Sequence, residues 1–271
     1  RRDSDDNGLS NVFISTGTSG VSVDFNNLDV ALNDDGDVYV LWTGTSVSSS
    51  DTVGFVQAFD GSGQGLFLQQ ETTLTDLDNV SLALTPSSYW VIGSSRETTF
   101  DSSSGTFDAT VTISAEYFDT DGNSQGTISL FSDTYETLLF DLTECNNVGI
   151  ASNRSGDLVL TWVEPSDNVS LFGNCTGSVY AQPYRESGTA ISDATQISDT
   201  ESDDDGNDVS DYFNPVATAY ENGEYVIAWT DDTDTYVANL ALDGDVATSQ
   251  EDILSGTCLL YTSPSPRDRS S

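Results

Sequence analysis

Four copies of a strand–turn–strand pattern constrain this chain more than any other feature. The copies are 28–43 (LDVALNDDGDVYVLWT), 80–94 (VSLALTPSSYWVIGS), 148–162 (VGIASNRSGDLVLTW) and 216–229 (VATAYENGEYVIAW). Three of them place a tryptophan six positions after a glycine, in the pairs Gly36/Trp42, Gly156/Trp162 and Gly223/Trp229. Anchors at positions 42, 94, 162 and 229 are separated by 52, 68 and 67 residues. Such a period indicates one supersecondary unit per repeat.

The second copy lacks both marker residues. We expect Ser88 and Ser94 to take the places of the glycine and the tryptophan. Trp90 lies four positions before Ser94, and because side chains alternate with period two, it is predicted to share the face of the other tryptophans. The repeat pattern therefore defines the turn geometry of the second copy less well than that of the other three copies.

A second half-motif follows each first half, and it predicts two further strands per repeat. Its copies are 54–63, 113–122, 179–188 and 236–244, each followed by a short fourth run. The turns are rich in Gly, Asp, Asn and Ser. The strand at 38–42 is apolar on both faces, as is the strand at 225–229, which indicates a sheet covered on both sides. The prediction is an all-β, β-propeller-like array of four four-stranded antiparallel blades, a fragment of a larger propeller.

These motifs, of the form VA..DG.YVVAW followed by VYAQ.YD..G, resemble the blade repeats of large secreted or surface-attached prokaryotic β-propeller proteins. The resemblance covers about residues 12–255 and implies a secreted or cell-surface location and further blades of the same chain. Residues 258–268 (CLLYTSPSPRD) instead resemble translated sequencing-adapter read-through. The predicted organisation is an acidic N-terminal segment with the last strand of a preceding blade (1–26), blades I to IV (27–77, 78–145, 146–213 and 214–257), and an artefactual tail (258–271).

The charge of the chain excludes several classes of partner. Lys and Arg together number 7 against 45 Asp and Glu, and the net charge is −38. Phosphate binding needs a basic surface, so nucleic acid is excluded. No run of 18 or more apolar residues occurs, so membrane insertion is not predicted. An acidic surface without Lys is typical of proteins from high salt, which favours a halophilic source.

The long loops all lie at one end of the predicted blades, because successive strands reverse direction. We call this end the long-loop face; its loops are 43–53, 94–110, 132–145, 163–178 and 199–213. Binding usually occurs on long loops carried by a rigid scaffold. The alternative for the acidic loops is a solvated surface with no ligand.

Two acidic groups and one cysteine pair are the candidate sites. Asp203, Asp205 and Asp208 have oxygen ligands for calcium, and Asp3, Asp5 and Asn7 match the first half of a calcium loop that lacks its final carboxylate. Calcium is the one cofactor that the sequence suggests. Cys145 and Cys175 both lie on the long-loop face, where a disulfide or two free thiols would be equally compatible with the sequence.

Catalytic residues are not identified. Histidine is absent, so Ser–His–Asp and Cys–His catalysis lack their base. The leading hypothesis is a non-enzymatic binding or adhesion module that takes a protein or carbohydrate ligand on the long-loop face. The alternatives are a glycoside-active propeller, which needs paired carboxylates near aromatic residues, and a structural spacer. Taken alone, four blades are expected to form an open arc with apolar faces exposed on the first and last blades.

Overall fold

A computed structural model describes residues 27–46, 48–102, 106–137, 147–165, 177–198, 213–220, 223–230 and 234–255. These residues form four four-stranded antiparallel sheets, each with its strands in chain order. The predicted all-β array of four-stranded blades is therefore confirmed. Within the described ranges, no helix is long and apolar enough to cross a membrane.

Each sheet is one blade, and its strands are numbered along the chain. Blade I is β1 (Leu28–Leu32), β2 (Val38–Thr45), β3 (Thr52–Phe59) and β4 (Gln70–Glu71). Blade II is β5 (Leu77–Leu84), β6 (Ser88–Asp101), β7 (Thr106–Asp119) and β8 (Ser124–Thr137). Blade III is β9 (Val148–Ser152), β10 (Leu158–Pro165), β11 (Gly177–Tyr184) and β12 (Thr195–Gln196). Blade IV is β13 (Phe213–Ala219), β14 (Tyr225–Thr230), β15 (Asp234–Leu240) and β16 (Val246–Ser255).

The blades stack face to face, and their first strands lie side by side: β1 contacts β5, β5 contacts β9, and β9 contacts β13. A separate apolar core fills each of the three gaps. Tyr39 and Leu41 pack against Tyr89 between blades I and II. Trp90 and Trp162 share the core between blades II and III. This arrangement explains why both faces of the second strands are apolar in the sequence.

The predicted glycines occupy the hairpin turns between the first and second strands. Gly36, Gly156 and Gly223 have φ angles of 86°, 89° and 91°, in the left-handed region where a side chain is strained. In blade I the turn runs from Asn33 to Asp37, because the amide of Asn33 donates to the carbonyl oxygen of Asp37 at 3.1 Å. Three residues therefore separate the paired ends of this turn, and glycine takes the position that requires a positive φ.

The expectation for blade II is wrong, and the length of its turn gives the reason. The amide of Thr85 donates to the carbonyl oxygen of Ser88 at 2.9 Å, so the loop is one residue shorter than in blade I. A one-residue shift reverses the face of every later side chain. Trp90 therefore points towards blade III rather than blade I. Gly93, not Ser94, occupies the position of the tryptophans.

The three repeat tryptophans are all buried, and each stacks on an aromatic ring of its own blade. Trp42 stacks on Phe55, Trp162 on Tyr180 and Trp229 on Tyr236, with ring centroids 6.0, 6.2 and 6.1 Å apart. Each aromatic partner comes from the third strand of the same blade. The structure thus places the predicted anchor tryptophans in buried positions and the predicted anchor glycines in hairpin turns.

Carboxylates of one blade accept hydrogen bonds from a neighbouring blade or from the connection between two blades. Asp29 of β1 accepts from the amide of Leu82 at 2.8 Å and from Ser81 Oγ at 3.0 Å, both on β5. The buried Glu116 of β7 accepts from the amide of Thr73 at 2.6 Å and from its hydroxyl at 3.1 Å, in the connection from blade I. Glu116 also accepts from Ser124 Oγ of its own blade at 2.6 Å, so each carboxylate pairs with one backbone N–H and at least one hydroxyl.

Candidate functional site

A cleft of about 360 Å³ lies where the tight turns of blades I, II and III meet. It lies at the opposite end of the blades from the long-loop face. Its lining residues come from the first hairpin turns of the three blades and from one neighbouring turn: Leu32, Asn33, Asp34, Asp35, Tyr39, Leu84, Thr85, Pro86, Ser88, Thr120, Ser152, Asn153 and Arg154. The cleft is therefore built by three adjacent blades together.

The turn of blade I presents two carboxylates to this cleft. The side chain of Asn33 fixes the turn, because its Oδ1 accepts from the amide of Asp37 at 2.8 Å and its Nδ2 donates to Asp37 Oδ2 at 2.9 Å. Asp34 and Asp35, between them in sequence, are exposed at the tip. The two carboxylates are thus held on a rigid hairpin.

Asn153 fixes the turn of blade III in the same way. Its Oδ1 accepts from the amides of Ser155 at 2.9 Å and Asp157 at 3.1 Å. Its side chain is buried, and its Nδ2 lies 3.5 Å from the hydroxyl of Tyr225 on blade IV. Arg154 is the exposed tip residue of this turn and the cation that lines the cleft.

The turn of blade II is held from outside by blade III. Glu186, in the turn after β11, accepts hydrogen bonds from the hydroxyl of Thr85 and from the amide of Ser87, the latter at 2.7 Å. Burial alone would raise the pKa of Glu186, but the hydrogen bonds from Thr85, Ser87 and Ser88 outweigh it and lower the pKa below its ordinary value. We call Asp29, Glu116 and Glu186 the carboxylate latches.

Aromatic rings form the wall beside blade I. The ring of Tyr39, which lines the cleft, is 5% exposed and lies 5.5 Å from Tyr89 and 5.9 Å from Phe67 between ring centroids. Burial, and next the charge of Asp37, raise the pKa of the Tyr39 hydroxyl. Tyr39 is therefore neutral across the ordinary pH range and offers a hydroxyl rather than a charge.

The lining combines three kinds of group. Amide and hydroxyl side chains include Asn33, Ser88 and Ser152, and apolar surface comes from Leu32, Leu84 and Pro86. Ligand pockets of a few hundred Å³ typically combine apolar surface with a few convergent polar groups. This lining suits a small ligand that has both hydroxyl groups and aliphatic faces.

The sites predicted from the sequence lie elsewhere. The three predicted sites lie outside the described residues, so they stay predictions. They are the group Asp203, Asp205 and Asp208, the N-terminal group Asp3, Asp5 and Asn7, and the pair Cys145 and Cys175. Among the described residues, no three His, Cys, Asp or Glu side chains cluster in a way that would hold a metal ion. Much of the long-loop face is likewise outside the described ranges.

Sequence reasoning missed the cleft because its residues belong to tight turns, which the repeat pattern marks as structural. A usable signal was present: Asn33 and Asn153 stand three positions before a turn glycine in blades I and III, and charged residues follow each of them. Asn at such a position forms its own turn by side-chain hydrogen bonds. The residues at the tip are thereby free to vary without loss of the fold.

No protein-family model matches the chain, and no curated protein matches it. Solved structures do resemble its fold. An alpha-L-arabinanase of Penicillium chrysogenum, complexed with arabinobiose, is 12% identical with a TM-score of 0.42, over 80% of this chain and 59% of that one. An alpha-L-arabinofuranosidase of Lactobacillus brevis is 12% identical with a TM-score of 0.45, over 83% and 71%. An apocarotenoid oxygenase of Synechocystis is 10% identical with a TM-score of 0.40, over 84% and 49%.

These comparisons correct the leading hypothesis from the sequence. A non-catalytic binding or adhesion module was expected, but the similar structures include carbohydrate-processing enzymes, which was the stated alternative. The chain spans 59% of the length of the Penicillium arabinanase. At identities near 12%, the similarity concerns the fold, and no residue of those enzymes is assigned to a position of this chain.

Proposed function

We propose that this protein is a carbohydrate-processing propeller and that the cleft between blades I, II and III binds a short neutral saccharide. The observation that carries the proposal is the composition of the cleft, which places amides, hydroxyls, carboxylates and one guanidinium around apolar side chains. A sugar ring has hydroxyl groups at its edge and C–H groups on its faces, so it matches both kinds of lining.

The negative net charge of the chain favours neutral saccharides over anionic ones. The net charge of −38 opposes the approach of anionic ligands, so uronic acids or sulfated sugars would meet this repulsion. A neutral saccharide does not. Asp34, Asp35 and Arg154 then act as hydrogen-bonding partners for its hydroxyl groups, and charged partners make the stronger hydrogen bonds.

For the processing step, we assign the reacting carboxylates to Asp34 and Asp35, the two carboxylates of the lining. Glycoside hydrolysis generally uses one carboxylic acid to protonate the leaving oxygen and one carboxylate as nucleophile or base. Both residues stand on one hairpin whose backbone is fixed by Asn33. The glycosidic bond to be cleaved would therefore lie over the turn of blade I.

The test combines a binding assay with an assay for released reducing ends. Neutral arabino- and gluco-oligosaccharides are titrated into the full chain, and saturation-transfer NMR detects binding. Arg154→Ala is expected to weaken binding by about tenfold, the loss of about one strong hydrogen bond. Asp35→Asn is expected to abolish release of reducing ends while binding remains.

The matched control is Asp243→Asn, an exposed acid in a turn of blade IV away from the cleft, which should change neither assay. Binding that is identical in wild type and Arg154→Ala would reject this cleft as the saccharide site. Binding without any release of reducing ends would reject the processing step and leave the saccharide site in place.

A further inference from the structure

Four residues that line the cleft are nearly buried, with exposed fractions from 5% to 8%. We call them the floor; they are Tyr39, Thr85, Ser88 and Asn153. The exposed lining residues form the rim, which includes the charged side chains of Asp34, Asp35 and Arg154. A ligand that enters the cleft therefore meets the rim first and the floor last.

Three of the four floor residues use their polar groups within the protein. The hydroxyl oxygens of Thr85 and Ser88 lie 2.6 Å apart, and Ser88 Oγ also accepts from the indole N–H of Trp90 at 3.2 Å. Asn153 Oδ1 accepts from two amides of its own turn, and its Nδ2 lies 3.5 Å from the hydroxyl of Tyr225. These hydrogen bonds hold the turns in shape, so the groups are already paired before a ligand arrives.

Tyr39 is the floor residue whose polar group is left for a ligand. Among the described residues, its hydroxyl has no hydrogen-bond partner. Its ring packs against Tyr89 and Phe67 in a core that is otherwise apolar. A polar group that is taken out of water without a new hydrogen bond is costly. A ligand group that reaches the floor and pairs with this hydroxyl removes that cost.

The packing of the blade does not require the hydroxyl of Tyr39. Tyr39 stands three positions before Trp42, and the same position is Val159 in blade III and Val226 in blade IV. Val159 is fully buried in the core shared with blade IV, as Tyr39 is buried in the core shared with blade II. An aliphatic residue thus fills this position elsewhere in the repeat. The hydroxyl in blade I is therefore available for another role.

We propose that Tyr39 determines the specificity of the cleft by selecting saccharides that carry a hydroxymethyl arm. The inference rests on the proposed function, since it takes the cleft as a saccharide site. The ring hydroxyls of the sugar pair with the rim, and the hydroxymethyl arm extends one carbon beyond the ring towards the floor. There the phenolic O–H of Tyr39 donates to the oxygen of the arm, while its methylene group meets the apolar side chains of Leu32 and Leu84. A sugar without the arm leaves the Tyr39 hydroxyl unpaired, and a site built to hydrogen-bond a substrate hydroxyl rejects the analogue that lacks it.

Cellotetraose and xylotetraose are a matched pair of probes, because they share ring form and linkage and differ in the hydroxymethyl arm. Isothermal titration calorimetry measures the affinity of the full chain for each. Wild type is expected to bind cellotetraose about tenfold more tightly than xylotetraose, the effect of about one hydrogen bond. Tyr39→Phe is expected to bind the two tetraoses equally, with the affinity for xylotetraose unchanged.

Tyr89→Phe is the matched control. Tyr89 packs beside Tyr39, and its buried hydroxyl also lacks a partner among the described residues, but Tyr89 does not line the cleft. This variant should keep the preference for cellotetraose, and circular dichroism should show both variants folded. Equal binding of the two tetraoses by wild type would overturn the inference. A preference that survives Tyr39→Phe, or that is lost in Tyr89→Phe, would overturn it as well.

Arabino-oligosaccharides separate this inference from the proposed function on which it rests. If they bind to the cleft and neither tetraose does, the selection by Tyr39 is rejected and the saccharide site remains. If no neutral saccharide binds, both proposals are rejected.

Discussion

Blade II differs from blades I, III and IV at the turn and at the tryptophan that define the repeat. Blades III and IV bury Trp162 and Trp229 against the preceding blade, whereas blade II has Gly93 at that position. A Cβ built on Gly93 would lie 2.5 Å from Leu77 Cδ2 and 3.6 Å from Leu74 Cδ1. Leu74, from the connection between blades I and II, and Leu77, the first residue of β5, occupy the space of the missing ring. The interface requires filled volume rather than a particular side chain.

The largest expected effect comes from removing a repeat tryptophan. Trp162 is fully buried, and its indole N–H donates to Glu164 Oε1 at 2.9 Å. Trp162→Ala should lower the free energy of unfolding by about 4 kcal/mol, because it leaves a large cavity between blades II and III. Urea denaturation measures this, with Trp162→Phe as the conservative control that retains most of the volume. A loss below about 1 kcal/mol would mean that the blades do not depend on this anchor.

The next effect tests the leucine substitute in blade II. Gly93→Ala should cost about 2 kcal/mol, because the added methyl group meets Leu77 in a packed core. The double variant Gly93→Ala with Leu77→Val makes room for the methyl group and should recover part of that loss. A double-mutant cycle from urea denaturation gives the coupling between the two sites. If the two changes were simply additive, the leucine would not be the group that fills this position.

A smaller effect tests the glycine with positive φ in the three-residue turn of blade I. Gly36→Ala should cost about 1 kcal/mol through backbone strain alone, because φ is 86° and nothing lies within 4 Å of the added Cβ. Gly61→Ala is the control, since its nearest atom is 3.9 Å away and no positive φ is recorded for it. Thermal denaturation of both variants gives the difference. Equal melting temperatures would show that the three-residue turns do not require glycine.

An effect of similar size concerns the turn of blade II, which is held by Glu186 rather than by an asparagine of its own. The folded pKa of Glu186 is lowered, so its contribution to stability is present above the unfolded pKa of about 4.3 and is lost as pH falls through the lower folded value. Glu186→Gln should therefore reduce stability by about 1 kcal/mol at neutral pH. The difference from wild type should vanish in acid, whereas Asp243→Asn should match wild type at both pH values.

The repeat made the blades predictable, because independent copies with the same Gly-to-Trp spacing agree on strands, turns and buried faces. Trp90 was misassigned because the sequence does not reveal that the Thr85–Ser88 turn is one residue shorter, and face assignment depends on that one residue. The cleft was not predicted, since it exists only where turns from three blades meet. Spacing within one repeat carries no information about which turn tips become neighbours.

The carboxylate latches have a consequence for the range of environments in which the blades stay together. These three carboxylates join neighbouring parts of the molecule by accepting short hydrogen bonds from backbone amides and hydroxyl groups. Both kinds of donor are uncharged. The carboxylates are those of Asp29, Glu116 and Glu186. Mobile ions weaken attraction between opposite full charges at a distance, but they do little to a directional bond at contact range. Hydrogen bonds of this type are therefore expected to keep the blades together at low and at high salt concentration. A protein with 45 acidic and only 7 basic residues can thus keep its blades assembled without any lysine.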